Sequence, residues 1–468
     1  MAAQCCANSR QLPHNQGRRW LSIIAVRITD CALDAATKIR FPSRRSRNCF
    51  DARAFSSTGA TLKIPMLKRT QVQPGFSKPA GRPLPSVRCI GAEAWSSLSR
   101  SASKGYDYYR ACEEAQPPMF QFFALAAYGP SGIVAACPAF RANFRLDVGA
   151  SGLLRQGTDY IHRRWPGLAL SVLGLGSPHA DELALGMQPS LDLEARQLAL
   201  AALLGGLEKA AIERAVWTLF VKDVTERQAA WADPVMRSAG FARLATLPVA
   251  HLELPFASAE DYLRSLSPNM RSNLRRKLKK AATVQVDVRT RIDGVEDEIL
   301  SLRRETQAHV KTNYGDFDEL SPLYFRKVLQ GLAGSRLLLY RLSGSLIGFS
   351  LILLDGDRLT YKYAGFRYPV ARHYNLFFLN WMTMVRLCLA HGISHLHAGQ
   401  TTYLTKVRLG CRLERSWIYF RHRHALINPL FKLFGPMIAI DRTDPDLREI
   451  GASAPFIYQT SESRFSRT

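Results

Sequence analysis

Two stretches of the chain carry the same pattern of apolar and polar positions. From residue 120, "FQFFALAAYGPSGIVAACPAFR" reads as strand, tight turn and strand. From residue 336, "RLLLYRLSGSLIGFSLILLDGDRLTYKYAGF" repeats that hairpin and adds a third β-rich run after Asp-Gly-Asp, which predicts a meander. Tyr128 with Ser131-Gly132 in the first parallels Tyr340 with Ser343-Gly344 in the second. The segments after each meander match as well. The helix "NLFFLNWMTMVRLCLAHG", the strand "ISHLHAG", a short helix in "YLTKVRLG" and the strand "RSWIYFRHR" correspond to "LDLEARQLALAALLGGLEKAAIERA", "VWTLFVKD", "DPVMRSAGF" and "ATLPVAHLEL". The chain therefore contains one plan twice. Aligning Gly240 with Gly410 sets Met236 opposite Lys406, a charge that the first copy lacks.

Between the copies, Ser267-Pro268 starts a helix in which Met270, Leu274 and Leu278 form one apolar stripe. Arg271, Arg275, Arg276, Lys277, Lys279 and Lys280 cover the rest of its surface. Crowded cations repel one another, so this face is either solvated or meets an anion such as a donor phosphate or a lipid headgroup. A second amphipathic helix comes next in "DEILSLRRETQAHVKT", with Ile299, Leu302 and Val310 apolar. Asp316, Asp318 and Glu319 in the next loop are candidates for a general base.

Composition changes the picture at one end. The 468 residues carry a net charge of +25, but residues 1–88 alone hold sixteen Lys/Arg against three acids, half of the excess. That region is rich in Arg and Ser and ends in a Pro/Gly stretch, so it reads as a disordered basic tail, a targeting segment or a mis-assigned start. The other residues carry an ordinary excess, which weakens a nucleic-acid reading. Of nine cysteines, Cys112, Cys137, Cys388 and Cys411 lie in apolar surroundings without C-x-x-C spacing and read as reduced core residues of a cytoplasmic protein. The longest apolar run is broken by Gly-Pro-Ser-Gly, so no transmembrane helix is expected.

Three basic or phenolic residues are candidates for chemistry. Lys406 ends a short helix after a strand, where it is either a solvated lysine or a cation in a cleft; Tyr403 lies one turn before it. Lys362 alternates with Tyr361 and Tyr363 on a central strand and needs solvent or a partner. His395 with His397, and His422 with His424, each face one side of a strand. No Cys or carboxylate has matching local spacing, so no metal is expected.

The order of elements in the second half, with "NMRSNLRRKLKKA", "YKYAGF" and "YLTKVRLG", resembles the GNAT acyltransferase fold, and two units in tandem resemble the FemABX-like branch. The resemblance covers roughly residues 86–430. It implies an α+β fold of two tandem GNAT-like units, each a mixed, mostly antiparallel sheet flanked by helices. The implied division is a tail (1–85), a first domain that is not catalytic (86–258), a second with the active cleft (259–440) and a carboxy-terminal tail (441–468). Lys406 stands where many GNAT enzymes place the tyrosine that protonates a leaving thiolate. The glycine-rich pyrophosphate loop of the family is here "RYPVARHYN", without glycine. Helix-start amides with Arg372, His373 and Asn375, together with Arg408 and the basic helix, remain to meet a donor phosphate.

The resemblance thus implies an N-acyltransferase with no tightly bound cofactor. It would pass an acyl or aminoacyl group from acyl-CoA, an acyl carrier protein or an aminoacyl-tRNA to an amine by direct attack. The alternative is a non-catalytic GNAT-fold protein that binds nucleic acid or anionic membrane. Peripheral contact at the inner membrane surface fits either.

Overall fold

Alternation builds the first meander as expected. In the computed structural model, which describes residues 78–99, 101, 105–115, 117, 119–144, 170–309, 320–424, 428 and 444–457, all within one compact unit, the first half opens with β1 (Ala80–Leu84). Past a short helix at Ala92–Leu98, helix α1 (Tyr106–Glu114) leads to β2 (Phe120–Gly129), β3 (Gly132–Phe144) and β4 (Leu170–Leu175), paired antiparallel in series from β1 to β4. A two-residue strand β5 (Gly186–Met187) adds to β3. After α2 (Leu193–Glu213), β6 (Thr218–Thr225) runs parallel to β4; α3 (Glu226–Ser238) then leads to β7 (Ala242–Glu253).

The second half repeats this order. The basic helix α4 (Pro268–Lys280) is capped by the Ser267 side chain and buries Met270 and Leu274. It precedes β8 (Gln285–Arg289), α5 (Glu296–His309) and α6 (Pro322–Gly331). Then β8, β9 (Ser335–Leu342), β10 (Ser345–Asp355) and β11 (Arg358–Phe366) pair antiparallel in series, as β1 to β4 do. Past α7 (Leu376–Ala390), β12 (His395–Gly399) runs parallel to β11; α8 (Tyr403–Arg408), β13 (Arg412–His422) and α9 (Pro445–Ile450) complete the described chain.

The matched glycines confirm the alignment. Gly240 and Gly410 both have positive φ, +81° and +92°. The amide just after each glycine is satisfied alike: Phe241 N donates to Met236 O and Cys411 N to Lys406 O.

The halves do not form separate sheets. One thirteen-stranded sheet runs β1-β2-β3-β4-β6-β13-β7-β12-β11-β10-β9-β8, with β5 off this path. Each half has exchanged its last strand: β13 lies against β6 and β7 against β12, and the two meet antiparallel at the centre. Helices cover both faces. In β9, Leu338 and Tyr340 join the core under α4 and α7, while Leu337 and Leu339 join the core under α1, α5 and α6. The runs that read as continuously apolar are strands buried on both faces.

Both ends of the folded region differ from the expectation. Ala80–Leu84, assigned to the tail by its Gly and Pro, forms an edge strand, where Pro83 is tolerated. Gly81 is required there, because a Cβ would come within 1.8 Å of the Ala202 carbonyl oxygen on α2. At the other end, residues 444–457 pack on the second half: Leu413 N donates to Pro455 O and Ile457 N to Leu413 O. Residues 1–77, the acids Asp316, Asp318 and Glu319, and Val310 lie outside the described residues. Cys112, Cys137, Cys388 and Cys411 are free and buried, and among the described residues no helix is long and apolar enough to cross a membrane.

Candidate active site

The parallel pair at the heart of the second half separates almost at once. β11 and β12 pair only from Arg358 opposite His395 to Thr360 opposite His397. Just beyond, the register of β11 against β10 slips, so that Tyr361 and Tyr363 have cross-strand partners and Lys362 is the extra residue. Such a bulge bends its strand and increases local twist. β12 ends at Gly399 (φ +71°), and Thr401 and Thr402 after it are also at positive φ. In the first half, β4 and β6 pair in regular register from Val172 to Leu175.

Lys406 lies at this divergence. Its side chain is 2% exposed. Nζ donates to the Ala398 carbonyl at 2.7 Å and the Gly399 carbonyl at 3.4 Å, which leaves one N–H for another acceptor. Burial pulls its pKa down to about 8. Tyr403 is also buried, and its hydroxyl donates to Pro248 O at 2.7 Å, tying α8 to β7.

Lys362 is met by the loop after β4, which crosses from the first half. Its Nζ donates to His179 O at 2.5 Å, stands 3.9 Å from Asp181 Oδ2 and lies 5.2 Å from the Tyr108 ring centre. Burial raises the Asp181 carboxyl, but the charges of Lys362, His397 and Lys222 outweigh it and hold the pKa below the usual range. Burial, with Lys362 and Lys222 nearby, drops His179 to about 3, so the ring is neutral. Glu182 from the same loop accepts from Arg358 at 2.9 Å and faces His397 Nε2 at 3.3 Å. On neighbouring strands, His251 Nε2 stands 3.3 Å from Glu414 Oε2.

The anion candidates gather around the start of α7. Asn375 precedes that helix at φ 53° and makes no side-chain cap, and Arg372 and His373 are exposed beside it. Lys277 of α4 sits over the Phe378 ring, 3.5 Å from its centre, so a cation of the basic helix meets the first turn of α7. The arginines of α4 differ. Arg271 donates to Arg264 O, Arg275 pairs with Glu260, and Arg276, although exposed, donates to Asn273. Arg408 lies apart, 3.8 Å from Glu449.

Lys362 and Lys406 thus flank one divergence, whereas Tyr403 faces β7 and the cations near α7 form a second group. The residues missed from sequence are His179, Asp181, Glu182, His251 and Glu414. The one local signal is "SPHADE", a polar run between strands. The histidine pairing also differs from the expectation: His395 is exposed near Asp357, and His422 stacks on Trp217.

Residues 268–403 match the acetyltransferase (GNAT) domain family. Among solved structures, FemX is similar at 13% identity and TM-score 0.47, covering 69% of this chain and 93% of FemX. A tandem GNAT protein from the clavulanic acid biosynthesis pathway aligns at 12% identity and TM-score 0.45, over 74% and 99%. The C-terminal domain of a putative lysylphosphatidylglycerol synthetase from Agrobacterium fabrum aligns at 13% and TM-score 0.43, over 74% and 94%. No curated protein matches the sequence. The chain carries a GNAT acetyltransferase domain at residues 268–403, and the order of strands and helices in that half recurs in the other.

Proposed function

We propose that the protein transfers an acyl or aminoacyl group from an activated donor to an amine, in the gap between β11 and β12 of the second half. The observation that carries this reading is the end of the pairing of those strands after three residues, beside the bulge at Lys362. The amine attacks the donor carbonyl, a tetrahedral oxyanion forms, and its collapse expels the donor's thiolate or alkoxide, which takes up the proton that the attacking nitrogen gives up. Lys406, with one N–H uncommitted, and Lys362 are the cations that stabilise developing negative charge. The start of α7, with Asn375, Arg372, His373 and Lys277, receives a donor phosphate. Acyl-CoA, an acyl carrier protein and an aminoacyl-tRNA all present one. The first half supplies the loop bearing His179 and Asp181, which shapes the acceptor side.

Native mass spectrometry of the protein purified from cells identifies a co-purifying donor. Transfer to an amine mixture is then tracked by product mass, with acyl-CoA and aminoacyl-tRNA assayed in parallel. Lys406→Met is expected to lower the rate by about 100-fold to 1,000-fold, the scale of losing one oxyanion-stabilising group. No transfer from any of these donors, combined with steeply salt-dependent binding to polyanions, would establish the non-catalytic alternative.

A further inference from the structure

The strand exchange places side chains together that no local spacing connects. His251 on β7 and His397 on β12 are direct cross-strand partners, so both imidazoles stand on one face of the sheet, with ring centres 5.0 Å apart. Glu182 reaches them from the loop after β4, and the ligand atoms of these three residues all lie within 4.8 Å of one another. Glu414, on β13 beside β7, adds a fourth oxygen.

We propose that Glu182, His251 and His397 bind a divalent transition-metal ion of the zinc type, and that Glu414, close to His251 but outside the group of three, turns in as the fourth ligand. Two separations already have the required size. His397 Nε2 to Glu182 Oε1 and His251 Nε2 to Glu414 Oε2 are each 3.3 Å. Two ligands of a tetrahedral zinc, bound at 2.0–2.1 Å, lie about 3.4 Å apart. Hydrogen bonding satisfies the cluster only in part. His397 Nδ1 is buried without a hydrogen-bond partner, and His251 Nε2 has only the 3.3 Å approach of Glu414 Oε2. A metal bound at His251 Nε2 would replace that long contact with a coordinate bond. Arg358 donates to Glu182 Oε1 and holds that carboxylate toward His397, which leaves Oε2 to turn to a metal. Imidazole nitrogen with carboxylate oxygen is a donor set suited to zinc and its neighbours rather than to calcium or magnesium. Because the ligands come from β7, β12, β13 and the crossing loop, the ion would clasp the two halves where their last strands change places.

The test uses the full chain, purified without a metal-binding tag and dialysed against metal-free buffer. Elemental analysis is expected to find one zinc-type ion per chain. After chelation, titration with Co²⁺ should give the intense visible absorption of four-coordinate cobalt, saturating at one equivalent, and Zn²⁺ should displace it. His397→Ala and the milder Glu182→Gln should each reduce this signal at least tenfold while far-ultraviolet circular dichroism stays native. His395→Ala, at the exposed histidine two residues away, should leave it unchanged. Absence of both metal and cobalt absorption in the wild-type chain overturns the proposal. So does equal loss of signal in His395→Ala.

Discussion

Lys406 is a charge kept in a nearly dry place, and that has a measurable consequence. In the native chain it loses its proton near pH 8, in the unfolded chain near the ordinary value of 10.5. Between those values the unfolded state holds more protons, so stability rises with pH through that window and the penalty is fully present below it. The shift corresponds to roughly 3 kcal/mol at most. Lys406→Met, which copies the buried Met236 of the first half, removes this dependence. Urea unfolding at pH 7 and pH 9.5 is expected to show wild type gaining on the variant at the higher pH. An equal difference at both would show an ordinary, solvated lysine. Lys406 could be found from sequence because a repeat supplied its comparison. His179, Asp181 and Glu182 could not, since they reach Lys362 and His397 through a crossing loop whose destination only the fold determines.

Elements were the most legible level, because alternation and helical period are local. The meanders, the helix after each and the basic helix all stand where their patterns put them. β1 was hidden because its Gly and Pro read as a breaker, and what overrides that reading is its docking against α2. Gly81→Ala forces a side chain into the Ala202 carbonyl, so the strand or the helix must shift. A loss of about 1–3 kcal/mol is expected, read as a lower melting temperature. No change would mean that the edge strand contributes little to the fold. For α4, the exposed Arg276, Lys279 and Lys280 are the test of an anion-binding face. Changing all three to Gln preserves helix propensity and should lower the salt concentration at which the protein leaves a heparin column. Unchanged elution would mark a merely solvated face.

At the scale of the molecule, the exchange of β7 and β13 was invisible, because a sequence carries the order of strands but not their neighbours. It makes each half incomplete. Residues 78–257 alone would leave β6 and β7 without β13 and β12, exposing long strand edges. That fragment is expected to aggregate, and co-expression with residues 258–468 to restore a soluble pair that co-elutes in gel filtration. A soluble, natively folded first fragment would refute this. The same exchange sets a timetable for synthesis. β7 leaves the ribosome well over a hundred residues ahead of β13. At roughly 5–20 residues per second, the nascent chain waits on the order of ten seconds with its central strand unpartnered. Leu247, Val249 and Leu252 of β7 are buried in the finished protein but open during that wait. A chaperone that shields this one strand during that wait is therefore expected to raise the yield of active protein.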